Sequence, residues 1–492
     1  MDTRKDIILI CKEEKYSYNA YHMTKAFYPS EEINLQVEEK ASNFDEGNSG
    51  AYVQLLFKDG DKISVGDDIC DKSWDKHQMD VALYKALSKK TKKTLAWGLL
   101  LGIRPTKIAM GKLEEGMAEE DFIPWFQETS LVSEKKAKLA WKIAKREKAL
   151  LDQLDYKNGY SLYVGIPFCP TVCSYCSFSS GSLSAWSHKV EAYVEALCKE
   201  LKFIGRMSMN RHLNTIYMGG GTPTTLTAGQ LDKVLAVIEE NFSFDHLLEY
   251  TVEAGRPDSI SREKFQVLRD HGISRISINP QSMQQKTLDA IGRRHSVESV
   301  KEAFHLAREM GFDNINMDII AGLSHETLED MEDTLRQIEK LGPDNLTVHS
   351  LAIKRAAKMG QEFQKIKDRF QDKTQVIEGM IDAARQAAAR MEMEPYYLYR
   401  QKNIAGNFEN VGYAKVDKAG IYNILIMEEK QSIIAAGAGA TTKIVLDHKV
   451  PAPGSKHGKM TNLIRLDNVK AIDAYIDRVD EMIERKGEWL WH

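Results

Sequence analysis

The apolar positions of this 492-residue chain change their period along its length. The first 155 residues open with short apolar runs at Ile7–Cys11, Ala51–Phe57 and Lys62–Val65, which read as strands. Apolar positions at helical spacing follow, such as Leu139, Ile143 and Leu150–Leu151. The lysine-rich stretch Lys135–Arg146 reads as the solvated face of that helix. Gly102-Ile103-Arg104-Pro105-Thr106-Lys107 marks a turn or a helix start, because proline restricts the backbone after Arg104. Its Arg/Lys pair either meets a carboxylate or is solvated in a plain interhelical turn.

From Ser161 the pattern becomes a regular alternation. Apolar runs at 161–166, 214–218, 248–254, 274–279, 314–320 and 345–351 predict strands, with helical patterns between them. One helix start is well marked. Thr227-Ala228-Gly229-Gln230 fits a capping box, and Leu226 and Leu231 are spaced for a hydrophobic staple. Leu231, Val234, Leu235 and Ile238 then recur at helix spacing. Six strand–helix units in succession imply a parallel sheet, since each crossover helix returns the chain in the same direction.

After about 355 a long helical stretch (roughly 358–392) precedes strand-like Pro395–Arg400 and Gly420–Met427. Small residues, Ala435-Ala436-Gly437-Ala438-Gly439-Ala440, form a turn, and a final helix runs near 469–485. The expected division is 1–155, 156–355 and 356–492, with no internal repeat beyond the strand–helix alternation.

Composition is that of a globular protein: 43% hydrophobic and 28% charged residues. The longest apolar run, Leu95 to Ile103, is far below the ~20 residues that span a bilayer. The first residues read as a strand rather than a signal peptide, so a cytoplasmic protein without a membrane span is expected. A net charge of -4 argues against broad nucleic-acid binding, which shows as a basic field. A local basic pocket for an anionic substrate is compatible with it.

Three of the six cysteines crowd together in Cys169-Pro170-Thr171-Val172-Cys173-Ser174-Tyr175-Cys176. A zinc site usually takes four ligands, often as two separated C-x2-C pairs. No second pair exists, and the nearest histidine, His188, lies on an expected helix. Disulfides are disfavoured without a secretory signal. Cys11, Cys70 and Cys198 are scattered and read as incidental buried thiols. A [4Fe-4S] cube normally takes four thiolates. Three leave one iron open to a small molecule.

The C-x3-C-x2-C spacing, with Tyr175 before the last cysteine, resembles the signature of the radical S-adenosylmethionine (SAM) enzymes. The resemblance implies that Cys169, Cys173 and Cys176 hold the cluster, that SAM binds the open iron, and that one electron cleaves SAM to a carbon radical. The fold associated with this superfamily is a partial (β/α)6 barrel. Here it would carry an α+β N-terminal domain and an α+β C-terminal extension, an α/β protein overall. By analogy with full barrels, chemistry belongs at the C-terminal ends of the strands, where the cysteine loop falls.

Other strand ends match the superfamily as well. Tyr217-Met218-Gly219-Gly220-Gly221-Thr222-Pro223-Thr224 resembles the glycine-rich segment that binds the SAM amino group through its backbone, and glycines permit that approach. Glu253, in Val252-Glu253-Ala254-Gly255-Arg256-Pro257, matches a glutamate beside SAM, although the proline comes one residue later than usual. Gln281 and Arg293 match further positions near SAM, Arg293 as a partner for its carboxylate. Asp318 and Tyr163 also match positions beside it. A polar side chain in an apolar strand costs energy unless paired, so Glu253 and Asp318 need partners in any case.

Together, Tyr-Val-Gly-Ile-Pro-Phe-Cys, Gly-Gly-Gly-Thr-Pro-Thr, Arg-Ile-Ser-Ile-x-x-Gln-Ser, Gly-Arg-x-His-Ser and Asn-x-Asp-x-Ile-x-Gly-Leu resemble the oxygen-independent coproporphyrinogen III oxidase family, most closely its HemZ branch. The resemblance is strong over 155–355, weaker over 356–450, and carries no motif before 150. It implies a tetrapyrrole substrate, coproporphyrinogen III or haem, and a low-potential electron donor such as flavodoxin or ferredoxin. The best-known members convert two propionates of coproporphyrinogen III to vinyl groups. They carry a fourth cysteine where this chain has Phe178, a departure shared with haem chaperones and haem-modifying members. The chaperone motif His-Asn-x-x-Tyr-Trp has only a partial counterpart, Glu409-Asn410-Val411-Gly412-Tyr413-Ala414. An acidic substrate needs cations, for which Arg256, Arg294, Lys354, Arg355 and Arg400 are candidates. The expected function is decarboxylation of coproporphyrinogen III in haem biosynthesis. The alternatives are a haem carrier and a haem-modifying enzyme.

Overall fold

The computed structural model describes residues 6–29, 31–38, 52–66, 75–102, 104–178, 180–351, 374–400, 408–452 and 460–491. Cys70, Lys354, Arg355 and the first part of the helix expected over 358–392 lie outside the described residues.

At the N-terminal end, β1 (Ile7–Cys11), β2 (Ile33–Val37), β3 (Val53–Phe57) and β4 (Lys62–Val65) form a sheet in the order β2-β1-β3-β4. Helices Glu14–Phe27 and Lys76–Thr91 pack on it through Tyr16, Met23, Phe27, Met79 and Leu83. The sequence pattern did not mark β2. It is an edge strand with Ile33 buried and Leu35 exposed, so it carries little apolar signal.

Among the described residues the main sheet has eleven strands. Its centre is the run β5 (Gly159–Ile166), β8 (His212–Gly220), β9 (Glu249–Glu253), β10 (Arg275–Ser277), β11 (Ile315–Ala321) and β12 (Asn345–Ser350), all parallel neighbours. Between β5 and β8, the two-residue strands β6 (Phe168–Cys169) and β7 (Gly181–Ser182) pair only with each other. Among the described residues the sheet does not close on itself. Beyond β12 come β14 (Asn410–Ala414) and β13 (Glu394–Tyr399); beyond β5 come β15 (Ser432–Ala436), β16 (Thr441–Pro451) and β17 (Met460–Asp467). The six expected strands are therefore present, and the α/β partial barrel is observed. The Thr227 capping box forms, with Gln230 N–H donating to Thr227 Oγ1 at 3.2 Å.

Several local expectations are corrected. Gly420–Met427 is not a strand but, with Gly420 as N-cap, nearly all of a helix, Ile421–Glu428. The buried carboxylate of Glu249, at the foot of β9, accepts the Ile421 N–H at 2.5 Å. This contact satisfies a helix N-terminus and is invisible to local pattern. Ala435 and Ala436 end β15, so only Gly437–Ala440 turn, with Gly437 and Gly439 at positive φ. The last helix breaks at Arg478 into Ile472–Asp477 and Val479–Gly487. On the helix Glu134–Leu151, Lys135, Lys138 and Lys142 are exposed as expected, but Lys136 is buried against Glu409. The Arg104/Lys107 pair does meet a carboxylate, that of Glu429, at 2.7 and 4.0 Å.

One apolar core gathers residues between Ile7 and Leu95, and a second gathers residues from Trp97 to Leu490. The helices between Pro105 and Leu151 thus pack with the barrel. Among the described residues no helix is long and apolar enough to cross a membrane.

Candidate cofactor and active site

A cavity of about 330 Å³ opens at the C-terminal ends of the central strands. Cys169, Cys173 and Cys176 line it together. Cys11 and Cys198 are buried elsewhere. The cysteine loop is held from below and from the side. Gly181 N–H donates to Pro167 O at 2.8 Å, and Ser174 N–H donates to Ile291 O at 3.1 Å. Arg256, 3% exposed, donates to both Asp258 carboxylate oxygens (3.0 and 2.9 Å) and to Thr171 O and Oγ1 (3.1 and 3.0 Å). Its Nη1 also lies 3.8 Å from Cys173 Sγ. This arginine is spent on the loop and does not offer a free cation to a substrate. Burial pushes the thiols of Cys169 and Cys176 up, so iron would have to displace their protons.

The glycine run after β8 is a packing device. A Cβ on Gly221 would meet Phe168 O at 2.6 Å and Ile166 O at 2.8 Å. Gly221 N–H donates to Ile166 O, and Thr222 N–H to Phe168 O, each at 2.7 Å. The segment is thereby bonded to the root of the cysteine loop, and Thr222 Oγ1 comes within 3.6 Å of Cys169 Sγ. A Cβ on Gly219 would meet the Glu253 carboxyl at 2.9 Å. Gly220 and Gly221 line the cavity; Gly219 lies just behind them.

Glu253 ends β9 and faces the cavity. Burial pushes its carboxyl up to about 7, and the Tyr217 hydroxyl, donating at 2.6 Å, pulls against that. Asp318, on β11, is half-buried, but His349 and Asn316 hold it below the usual carboxylate range. Asn316 Nδ2 donates to Asp318 at 2.7 Å, and His349 Nε2 lies 3.6 Å away. His349 Nδ1 is 3.0 Å from the Tyr399 hydroxyl. Arg275 and His349 act on both acids, but only Asp318 has His349 directly against it, while Glu253 feels the Asp318 charge beside it, so the two differ in charge tendency.

Gln281 sits in the left-handed region (φ 66°), fixed there by its N–H to Asp318 O (2.9 Å) and by Ile320 N–H to its own carbonyl (3.0 Å). Strain of this kind concentrates at functional sites. Arg293, 6% exposed, donates through Nη1 to Asn279 O at 2.5 Å, and its Nη2 is 3.5 Å from the Tyr175 hydroxyl. Tyr175 lines the cavity as well. Tyr163 is not among the lining residues: it stacks behind Tyr217, with ring centroids 6.3 Å apart.

Of the cationic candidates, Arg400 turns away, donating to Leu100 O at 2.6 Å with its guanidinium over the Trp97 ring. Arg294 is exposed. Arg275, His349, Tyr217 and Asn316 line the cavity without having been singled out from sequence. The strand alternation that points Glu253 inward does the same for Ser277, its β10 register partner, and hence for Arg275 two residues before. That signal was available.

The side chains present fit the implied groups. Arg293 Nε, Gln281 Oε1, Asn279 Oδ1 and Ser277 Oγ are buried, face the cavity and have no hydrogen-bond partner among the described residues. Orphaned donors and acceptors together ask for a polar, zwitterionic ligand. Three thiols, those of Cys169, Cys173 and Cys176, line the cavity together.

Comparison with known proteins adds to this geometry. The radical SAM superfamily profile matches residues 163–338. The chain is 40% identical over 402 residues to the oxygen-independent coproporphyrinogen-III oxidase-like protein HemZ of Bacillus subtilis, covering 81% of this chain and 77% of that protein. It is 36% identical over 194 residues to the heme chaperone HemW of Bacillus subtilis, 39% of this chain and 50% of that one. With the oxygen-independent coproporphyrinogen III oxidase of Escherichia coli it shares 32% identity over 192 residues, 39% and 42% of the two chains. The match thus spans half or less of those last two relatives. Among solved structures, coproporphyrinogen III oxidase (HemN) from Escherichia coli superposes with a TM-score of 0.51 at 22% identity, over 68% of this chain and 73% of that one. This likeness is one of fold.

Proposed function

We propose a function from one premise: this chain belongs to the radical SAM family of oxygen-independent coproporphyrinogen-III oxidase-like HemZ proteins. Our reading is the anaerobic oxidative decarboxylation of coproporphyrinogen III to protoporphyrinogen IX, in the cytoplasm, with a low-potential flavodoxin or ferredoxin as electron donor. Cys169, Cys173 and Cys176 would hold a [4Fe-4S] cluster, and SAM would occupy the cavity beside it. When bound, this pair supplies one-electron cleavage of SAM and with it the power to remove an unactivated hydrogen.

The chain's own residues then bind and orient. Glu253, as carboxylate, would receive the SAM ammonium beside the Gly219–Gly221 backbone, and Arg293 its carboxylate. Gln281 and Asp318 would fix the remaining polar part, with Asn316 and His349 holding Asp318 in place. Tyr163 and Tyr175 would support from behind and beside. The observation that supports the reading is convergence: three cysteines and four polar side chains, carried by β5, β9, β10 and β11 or the segments that follow them, line one cavity.

The likeness to HemW and the exposed Phe178 favour a second reading, a haem carrier or haem-modifying enzyme. Against a carrier, Asn410 and Tyr413 of the partial chaperone motif are buried, and Asn410 is engaged with Ser350 N–H and Tyr399 O. The test is anaerobic. Reconstituted protein receives SAM, dithionite and coproporphyrinogen III, and products are followed by mass spectrometry. Successive losses of CO2 plus two hydrogens, with 5'-deoxyadenosine, are expected. SAM cleavage with every carboxylate intact would refute the decarboxylase and leave haem as substrate or cargo.

A further inference from the structure

The mouth of the cavity carries two large apolar side chains that face water. Phe178 is 71% exposed and Val172 45% exposed, and both line the cavity from the cysteine loop. Scattered single exposures are ordinary; two on one loop, at the entrance of a buried site, are less so. Beside them runs the Gly292–Arg294 turn, pinned to the same loop by Thr171 Oγ1 donating to Gly292 O at 3.2 Å and by the Ser174 bond to Ile291. Arg294 is exposed and makes no ion pair or side-chain hydrogen bond among the described residues. The other arginines near this loop are committed or buried: Arg256 to Asp258 and Thr171, Arg293 and Arg275 inside the cavity.

The cavity itself, at about 330 Å³, is at the lower end of the range for small-ligand pockets. SAM takes up much of such a volume, so a macrocycle with four carboxylate arms would extend beyond it. What remains outside is an aromatic ring and an aliphatic side chain at the cavity edge, with an unpaired guanidinium on the turn bonded to the same loop. We propose that Phe178, Val172 and Arg294 form the landing surface for the tetrapyrrole. The flat face of the macrocycle would lie on Phe178 and Val172, and one carboxylate would lie on Arg294. This rests on the tetrapyrrole reading above and assigns a role to the phenylalanine that replaces the family's fourth cysteine. Aromatic side chains dominate binding surfaces of this kind, and arginine matches a carboxylate bidentately.

The test uses the reconstituted full chain with SAM bound, titrated anaerobically with coproporphyrin III and with etioporphyrin, a macrocycle that lacks carboxylates, by fluorescence quenching. Phe178→Ala should weaken both porphyrins about tenfold, the loss typical of a central aromatic anchor, and Phe178→Trp should restore them. Arg294→Gln should weaken coproporphyrin III about threefold and leave etioporphyrin unchanged, the size expected for an exposed ion pair. Iron content and SAM affinity should match the parent protein in all three. Wild-type affinities in both Phe178→Ala and Arg294→Gln overturn the landing surface, while the tetrapyrrole reading survives. Lost iron in Phe178→Ala also overturns it, by making the side chain a support of the cluster loop. Slower reduction by flavodoxin with normal porphyrin binding assigns the patch to the electron donor instead. If the parent protein binds neither coproporphyrin III nor haem, the tetrapyrrole reading fails and this inference with it.

Discussion

Replacing Lys136 with methionine should strand a charge in the interior. Lys136 and Glu409 pair with side chains 9% and 1% exposed, and Trp97 Nε1 donates to the same carboxylate at 2.8 Å. Removing one partner of a buried pair costs about 3–5 kcal/mol, because the other charge is left uncompensated. The Trp97 bond survives the substitution, and a hydrogen bond to a charged group contributes about 1.5–3 kcal/mol, so the lower end, about 3 kcal/mol, is expected. Urea unfolding of the full chain, followed by near-ultraviolet circular dichroism, measures this. The double variant Lys136→Met with Glu409→Leu should recover most of the loss, since apolar replacements of buried pairs are often neutral. Burial alone would raise the Glu409 carboxyl, but Lys136 and Trp97 hold it below its ordinary 4.5. Its contribution is therefore present above pH 4.5 and is lost as pH falls through the folded value. Without Lys136, burial raises the stranded carboxyl, which can protonate as pH falls toward 4.5, so the deficit against the parent should shrink from pH 8 to pH 4.5 and shrink further as the parent's own carboxylate protonates below it. An unchanged transition, or a deficit equal at pH 4 and pH 8, would refute this account. The same contact bears on the cavity, because the Glu409 carbonyl accepts from Ser350 Oγ and Ser350 lines the wall.

Single alanine substitutions at Cys169, Cys173 or Cys176 should each abolish cluster incorporation, while Cys11→Ala and Cys198→Ala keep the parent iron content in a colorimetric assay. Glu253, pushed up to about 7 by burial, should make SAM affinity fall as pH drops from 8 to 6, and Glu253→Gln should flatten that profile in isothermal titration. A buried acid whose folded value is raised loses stability as pH rises from 4.5 toward 7, so Glu253→Gln should gain on the parent over that window in thermal melts. Gly221→Ala, whose Cβ would sit 2.6 Å from Phe168 O, should disrupt the joint between the glycine segment and the cysteine loop. Iron uptake and SAM binding should drop together, with far-ultraviolet circular dichroism nearly unchanged.

Much of this protein is legible in its sequence because its chemistry is encoded locally. The cysteine triplet and glycine run fall within short segments, and strands β5 and β8–β12 announce themselves by apolar runs whose ends coincide with the polar residues. Backbone pairing and apolar burial repeat with short periods, so six strands and a parallel sheet follow from neighbours in sequence. The helix Ile421–Glu428 was not legible, because a carboxylate 172 residues away caps it. Nor was the fate of Lys136, Arg256 and Arg400. A charged side chain looks solvated in sequence, whether it ends in water or against Glu409, Asp258 and Trp97. Tertiary structure alone decided which of several arginines faces the cavity, that His349 and Asn316 steady Asp318 while Tyr217 holds Glu253, and that Arg294 is exposed on the turn beside the cysteine loop. These depend on contacts between elements distant in the chain, whose energies depend on burial and distance, and neither is fixed until the strands have assembled.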